Sequence, residues 1–240
     1  MSTNKSNLQI FSTENNIIER NSLYLQMNTE FLLNNAPLIR YSNRMIKRAF
    51  DIITALIILM LFFPWIYLII ACCIKIFMPG PVFFKQKRTG KNGVVFTCYK
   101  FRTMDAQNLS DKFVDPKLNK YSLGNFLRAT SLDELPQFWN VLKGDMSIIG
   151  PRPHMLVHDE EYMGKIEEYS LRYIVKPGIT GWAQVNGGYD ITPEEKLRYD
   201  LEYIELTDND LWYIQHWSMA LDVKIMFRTI KVMIKNDKTT

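Results

Sequence analysis

Cysteine is scarce here: Cys72, Cys73 and Cys98 are the only three among 240 residues. They make no disulfide framework, and two are adjacent inside an apolar run, which fits a reducing or lipid-facing setting. Excess charge is scarce too. A net charge of +4, with no arginine-rich arm or finger spacing, argues against a nucleic-acid partner. The first seven residues are polar, so no secretory signal is read at the terminus. The glycine-dense stretch Lys176–Gly188 has neither the Gly-x-Gly-x-x-Gly nor the Walker spacing. His154 and His158 stand at i and i+4, but no third ligand follows at a fitting distance, so no histidine metal site is assigned. Internal repeats and low-complexity tracts are absent.

What is present is one long apolar run. Ile52 to Ile74 contains no charged residue, and about 20 apolar residues suffice to cross a bilayer as a helix. Two features oppose a plain crossing. Pro64 sits near the midpoint, where its ring breaks the backbone ladder. Both flanks are basic, with Arg44, Lys47 and Arg48 before and Lys75, Lys85, Lys87 and Arg88 after, whereas a span gathers such charge on the cytoplasmic side. A helix that enters, bends at Pro64 and returns to the same face satisfies both flanks. A straight span and a buried soluble helix are the alternatives.

The second informative stretch is Thr130 to Pro153. Leu135, Phe138, Trp139 and Leu142 fall at i, i+3, i+4 and i+7, one helix face, with Lys143 and Gly144 closing it. Asp133 and Glu134 stand at or just before its N-terminus, where unpaired N–H groups favour negative charge or a phosphate. Ser131 to Glu134 also spells a capping box, in which the glutamate only satisfies a backbone donor. A start at Leu135, with Pro136 in the first or second position, frees Glu134 from that duty.

Around these two stretches the chain divides into a polar arm (1–43), a membrane-anchoring helix (44–78) and a further unit (79–240), which the resemblance described below implies is catalytic. Pro79-Gly80-Pro81 is a stop and turn. Val82–Arg88 and Val94–Arg102 read as a β-hairpin with an Asn-Gly turn, and alternation puts Lys100 and Arg102 on one face. Two cations on a rigid strand suit a phosphate clamp, or equally a solvated edge. Residues 105–124 read as a polar loop, with Arg128 just after it. The Lys176–Gly188 glycines read as an ordered loop that lets backbone approach a ligand. Pro193–Leu206 reads as an acidic helix opened by Thr192 and Pro193. Leu211–Lys235 reads as another, with Trp212, Tyr213 and Trp217 near its start. Its Lys224, Arg228, Lys231 and Lys235 form a stripe suited to an anionic headgroup layer, or to solvent. The fold class expected is α+β: a re-entrant membrane helix, then a mostly helical domain with a small hairpin and interfacial amphipathic helices.

Several stretches in this order resemble the bacterial sugar transferase family, monotopic phosphoglycosyl transferases that load polyprenyl phosphate. They are Lys47-Arg48-x-Phe50-Asp51, Gly80–Gln86, Lys100–Met104, Ser131–Gln137, Gly144–Pro153 and, as in the family's longer members, Lys176–Gly187. The family often has Ser-Pro at the membrane bend; Phe63 precedes Pro64 here. Larger members carry an N-terminal bundle of spans, so the resemblance implies a catalytic unit with a short arm.

The resemblance further implies transfer of a sugar phosphate from a UDP-sugar to undecaprenyl or another polyprenyl phosphate. It implies Asp133 as nucleophile and Glu134 as a holder of Mg²⁺. Lys100, Arg102, Arg128 and Arg152 are the candidates for the remaining positive charge at phosphate. The implied setting is the bacterial inner membrane with the catalytic unit facing the cytoplasm, early in exopolysaccharide, capsule, O-antigen or glycoprotein glycan assembly. Self-association into a homo-oligomer is left open. A membrane-tethered scaffold and an aspartyl-phosphate phosphatase are the rival readings.

Overall fold

A computed structural model describes residues 35–78, 80–103, 123–166, 168–186 and 196–236. Most of the polar arm, Pro79, Met104, the loop at 105–122, Gly187-Gly188 and the Thr192-Pro193 helix opening lie outside the described residues.

The apolar run folds as one helical stretch from Tyr41 to Phe77, made of α1 (Tyr41–Ile57), a π turn (Ile58–Phe62) and α2 (Phe63–Phe77). Pro64 stands at the start of α2. Its ring would collide with the carbonyl four residues earlier, and the wider π turn takes up that misfit, with the Phe63 N–H donating to Ile58 O. The ladder is thus loosened at the expected place without losing helix.

A hairpin follows, β1 (Phe83–Thr89) and β2 (Val95–Phe101), antiparallel with Phe83 opposite Phe101 and Thr89 opposite Val95. Asn92 and Gly93 take positive φ in its turn, as the Asn-Gly pair predicts. Beyond lie α3 (Leu123–Ala129), a 3₁₀ turn (Leu132–Glu134) and α4 (Gln137–Lys143). Next come β3 (Ser147–Ile149), α5 (Leu156–Met163), a 3₁₀ segment (Tyr169–Ile174), β4 (Gly178–Thr180) and α6 (Trp182–Asn186). α7 (Lys196–His216) and α8 (Met219–Asn236) complete the described chain. The architecture is mostly helical with a small antiparallel sheet and one long apolar helix.

The parallel pairing of β3 with β4 was not expected. It explains Gly178 and Gly181 differently from a ligand loop. A Cβ at Gly178 would lie 2.1 Å from Gly150 N, and one at Gly181 would lie 2.2 Å from Gly150 O. The close approach they permit is to the chain's own backbone.

Two further expectations shift. The helix break falls at Trp217-Ser218 rather than near residue 210, so Trp212 and Tyr213 end α7. Ser218 Oγ accepts from the Leu221 N–H, a cap that starts α8 there. In α4 the buried side carries Gln137, Asn140 and Val141, while Trp139 of the expected apolar face is 56% exposed. Polar Asn140 is the better core contact because it is fully bonded: it accepts from Tyr99 N and donates to Thr97 O and Asp145.

Both halves of the apolar helix pack on the same body. From α1, Lys47 pairs with Asp222 at 2.6 Å. Arg48 donates to the carbonyls of Val141 and Leu142. Asp51 accepts from Ser147 Oγ and Ile148 N. From α2, Ile70 and Ile74 are buried with Phe101 and Leu127, and Phe63, Tyr67, Phe83 and Phe101 stack ring on ring. The outer side stays apolar and bare: Met60, Trp65 and Ile69 are each more than 60% exposed.

Candidate active site

The 3₁₀ turn Leu132–Glu134 holds the carboxylate pair between the hairpin and α4. Ser131 enters it in the left-handed region and makes no side-chain cap. The capping box is therefore not formed. α4 starts at Gln137, two residues later than expected, with Pro136 before it. Glu134 is left to other partners.

Those partners are cations. Glu134 Oε1 accepts from Lys100 Nζ at 2.6 Å and from Arg152 Nη2 at 2.9 Å. Burial works to raise the Glu134 pKa, but Arg152 and Lys100 outweigh it and pull the group down to about 2. Asp133 has the opposite character. It is 7% exposed and makes no hydrogen bond with a described residue; its nearest cation is Lys100 Nζ at 3.9 Å. Burial, with Lys100 opposing and Glu134 adding, pushes its carboxyl up to about 6. Two neighbours in sequence thus occupy different electrostatic states, one neutralised by two cations and one desolvated and unbonded.

The hairpin brings Lys100, and the extended turn after β3 brings Arg152. That turn is pinned from several sides. Gly150 N donates to Thr180 O at 2.9 Å and Gly178 N to Pro151 O at 2.8 Å. Arg88 donates to Pro153 O, and Arg172 donates to Arg152 O. Behind it lies a polar knot in which Arg172, 1% exposed, pairs with Asp210 at 2.6 Å. His154 and Tyr169 lie against the same guanidinium, and Tyr169 donates to Asp159. Burial first, then Arg172, holds His154 well below the ordinary imidazole range. A neutral histidine facing a guanidinium is placed for structure, and it sits ahead of α5 rather than on a shared face with His158.

Lys100, Arg152, Asp133 and Glu134 are therefore brought together. Arg102 is placed elsewhere, whereas Arg128 lies at the margin, near enough for its charge to act on Asp133 and lower its pKa. Arg102, 6% exposed, donates to Met78 O at the exit of α2 and lies against Gly80. Arg128 is exposed on α3 and bonds to Asn125. Sequence reasoning missed Arg88 and Arg172 as supports of the Arg152 turn. Alternation on β1 could have flagged Arg88, whereas nothing local marks Arg172.

For a divalent cation, the donor set is two carboxylates, Glu134 having one oxygen not taken by a described partner and Asp133 having both. No cluster of three or more acidic, histidine or cysteine ligands occurs among the described residues. Mg²⁺ accepts such sparse protein ligation when phosphate and water supply the rest, so these residues fit it only together with a phosphate substrate.

The family model described as bacterial sugar transferase matches residues 42–236. A UDP-glucose:undecaprenyl-phosphate glucose-1-phosphate transferase of Escherichia coli K12 is 49% identical over 195 residues, covering 78% of this chain and 40% of that protein. One of the same description from Caulobacter vibrioides is 40% identical over 210 residues, 84% of this chain and 74% of that protein. A UDP-N-acetylgalactosamine-undecaprenyl-phosphate N-acetylgalactosaminephosphotransferase of Aeromonas hydrophila is 42% identical over 192 residues, 79% of this chain and 44% of that protein. The chain thus spans less than half the length of two of these relatives.

Proposed function

The chain belongs to the bacterial sugar transferase family, and from that premise we propose that it transfers a sugar phosphate from a UDP-sugar to a polyprenyl phosphate such as undecaprenyl phosphate. The observation that carries this reading is the split between the two carboxylates. A nucleophile is favoured by an oxygen free of hydrogen bonds and more basic than an ordinary carboxylate. Asp133, pushed up to about 6, has no hydrogen bond to a described residue, which supports this role.

In the first step an Asp133 oxygen attacks the phosphorus next to the sugar. The bond to the bridging oxygen breaks, and UMP leaves with that electron pair. In the second, an oxygen of the polyprenyl phosphate attacks the same phosphorus and returns the carboxylate of Asp133. Lys100 and Arg152 offset the charge that accumulates when anions meet, which dominates the barrier for phosphoryl chemistry. Glu134 holds those two cations in place, and its remaining oxygen would be the one to hold Mg²⁺. When bound, Mg²⁺ supplies charge neutralisation at the diphosphate. Arg102 has the weaker claim to phosphate, being engaged with Met78, while Arg128 on α3 adds its charge near Asp133.

The anchor is read as re-entrant, bending at Pro64, with both its ends and the catalytic unit on the cytoplasmic side of the inner membrane. Packing of α1 and α2 on one body supports this, because a perpendicular span would carry one half away from it. Charge supports it less than expected, since Lys47 is buried and Arg48 is spent on carbonyls. The bare apolar face of the helix is the surface for lipid.

Intact-protein mass spectrometry after incubation with UDP-glucose or UDP-N-acetylgalactosamine, without lipid acceptor, tests the mechanism. A sugar-phosphate adduct on Asp133, absent in Asp133→Asn, is expected. Unimpaired UMP release by Asp133→Asn overturns the assignment, and free sugar or phosphate released without acceptor identifies a phosphatase instead.

A further inference from the structure

A second set of cations lies away from Glu134. The start of α1, the hairpin turn and the approach to β4 enclose a cavity of about 250 Å³ lined by Arg44, Lys47, Arg48, Lys91 and Lys176, with Asp51 its one acid. Part of this charge is already matched. Lys47 is paired with Asp222, and Asp51 accepts from Ser147 and Ile148. Arg48 bonds only to carbonyls, which leaves its charge uncompensated.

The side chains of Arg44, Lys91 and Lys176 have no hydrogen-bond or ion-pair partner among the described residues. They are also crowded. A Cβ at Gly144 would lie 3.4 Å from Lys176 Nζ and 3.6 Å from Arg48 Nη2, so those two head groups are neighbours. Burial, then Arg44, lowers the Lys91 pKa; burial, then Arg48, lowers that of Lys176. Like charges gathered in a concavity repel unless an anion joins them.

We propose that this cavity binds a phosphate-bearing anion, with Arg44, Lys91 and Lys176 as its ligands. The phosphate has two sources, a membrane phospholipid headgroup or a soluble phosphate. The surroundings favour the lipid: Leu38 and Met45 form an apolar wall, and Tyr41, Met45 and Ile46 are each more than half exposed at the start of the membrane helix. Basic pockets beside membrane helices recognise headgroups in this way. The proposal stands apart from the transferase reading, because none of these three residues touches Asp133 or Glu134.

Native mass spectrometry of the full chain in detergent tests it, with phosphatidylglycerol, phosphatidylcholine and inorganic phosphate as probes. Retained phosphatidylglycerol is expected, weakened about tenfold by Lys91→Ala and by Lys176→Ala, the loss of one charge-assisted contact. Lys87→Ala removes an equal charge outside the cavity and should leave binding unchanged. Displacement of phosphatidylglycerol by inorganic phosphate alone identifies the soluble source and keeps the site. Should Lys176→Ala fail to fold, Lys91→Ala in the hairpin turn decides. Equal retention of phosphatidylcholine, or parental phosphatidylglycerol binding by the folded variants, overturns the proposal.

Discussion

Two knots of buried charge lie close together, and they are built on opposite rules. Behind the Arg152 turn, Arg172 and Asp210 are almost fully buried and matched, with His154, Tyr169 and Asp159 completing the network. In front of it, Glu134 is matched by Lys100 and Arg152, while Asp133 is desolvated without a hydrogen bond to a described residue. The contrast teaches that matching charge holds the turn in place, whereas one carboxylate is left unmatched at a cost in stability, and the proposed function puts the reaction on that carboxylate.

The strongest way to break this comparison is Asp133→Asn. UMP release should fall about a thousandfold or more, as removal of a nucleophile does, yet the protein should gain stability at pH 8. The sign follows from a folded pKa near 6, above the unfolded value. The native state then favours the protonated form, so the charged form costs stability above pH 6 and the cost is gone below about pH 4. A gain of at most about 3 kcal/mol is expected in thermal or denaturant unfolding at pH 8, vanishing at pH 4.

Arg172→Leu should act the other way. Unpairing Asp210 in a dry interior costs about 3–5 kcal/mol, and the double change with Asp210→Leu should recover much of it. If the single change is harmless, the rear knot does not hold the turn.

Glu134→Gln sharpens the contrast within the front knot. Its folded pKa near 2 lies below the unfolded value, so its contribution is present above about pH 4.5 and lost as pH falls towards 2. Unfolding at pH 7 should show a loss of about 2–3 kcal/mol that shrinks below pH 4. Smallest is the pH effect on the parent chain. UMP release should drop roughly tenfold per pH unit below about 6, as Asp133 takes its proton; a flat profile from 7 to 5 would count against Asp133 as the attacking group.

Some of this was legible residue by residue. Ile52–Ile74 announces a helix long and apolar enough to cross a membrane, and Pro64 marks where its ladder changes. The Asn-Gly turn and the helix closing at Gly144 follow from backbone preferences that act over a few residues. Phe138 and Leu142 of the i, i+3, i+4, i+7 set do pack against the core, but the helix is turned so that a bonded Asn140 takes the inner side and Trp139 stays exposed. The Trp217-Ser218 break was legible in principle, since serine is a favoured cap, but the sequence reading divided the two helices between Leu206 and Leu211 instead. Arg172 carried no local mark at all.

The amino-acid sequence by itself determined the long apolar helix, the hairpin, the paired carboxylates and the order of motifs that places the chain in its family. Each depends on spacing or composition within a short window. Only the tertiary structure decided which carboxylate is neutralised, because Lys100 and Arg152 reach Glu134 from 34 and 18 residues away. Desolvation and Coulomb forces act through space, and adjacent acids become unlike only once folding has chosen their surroundings.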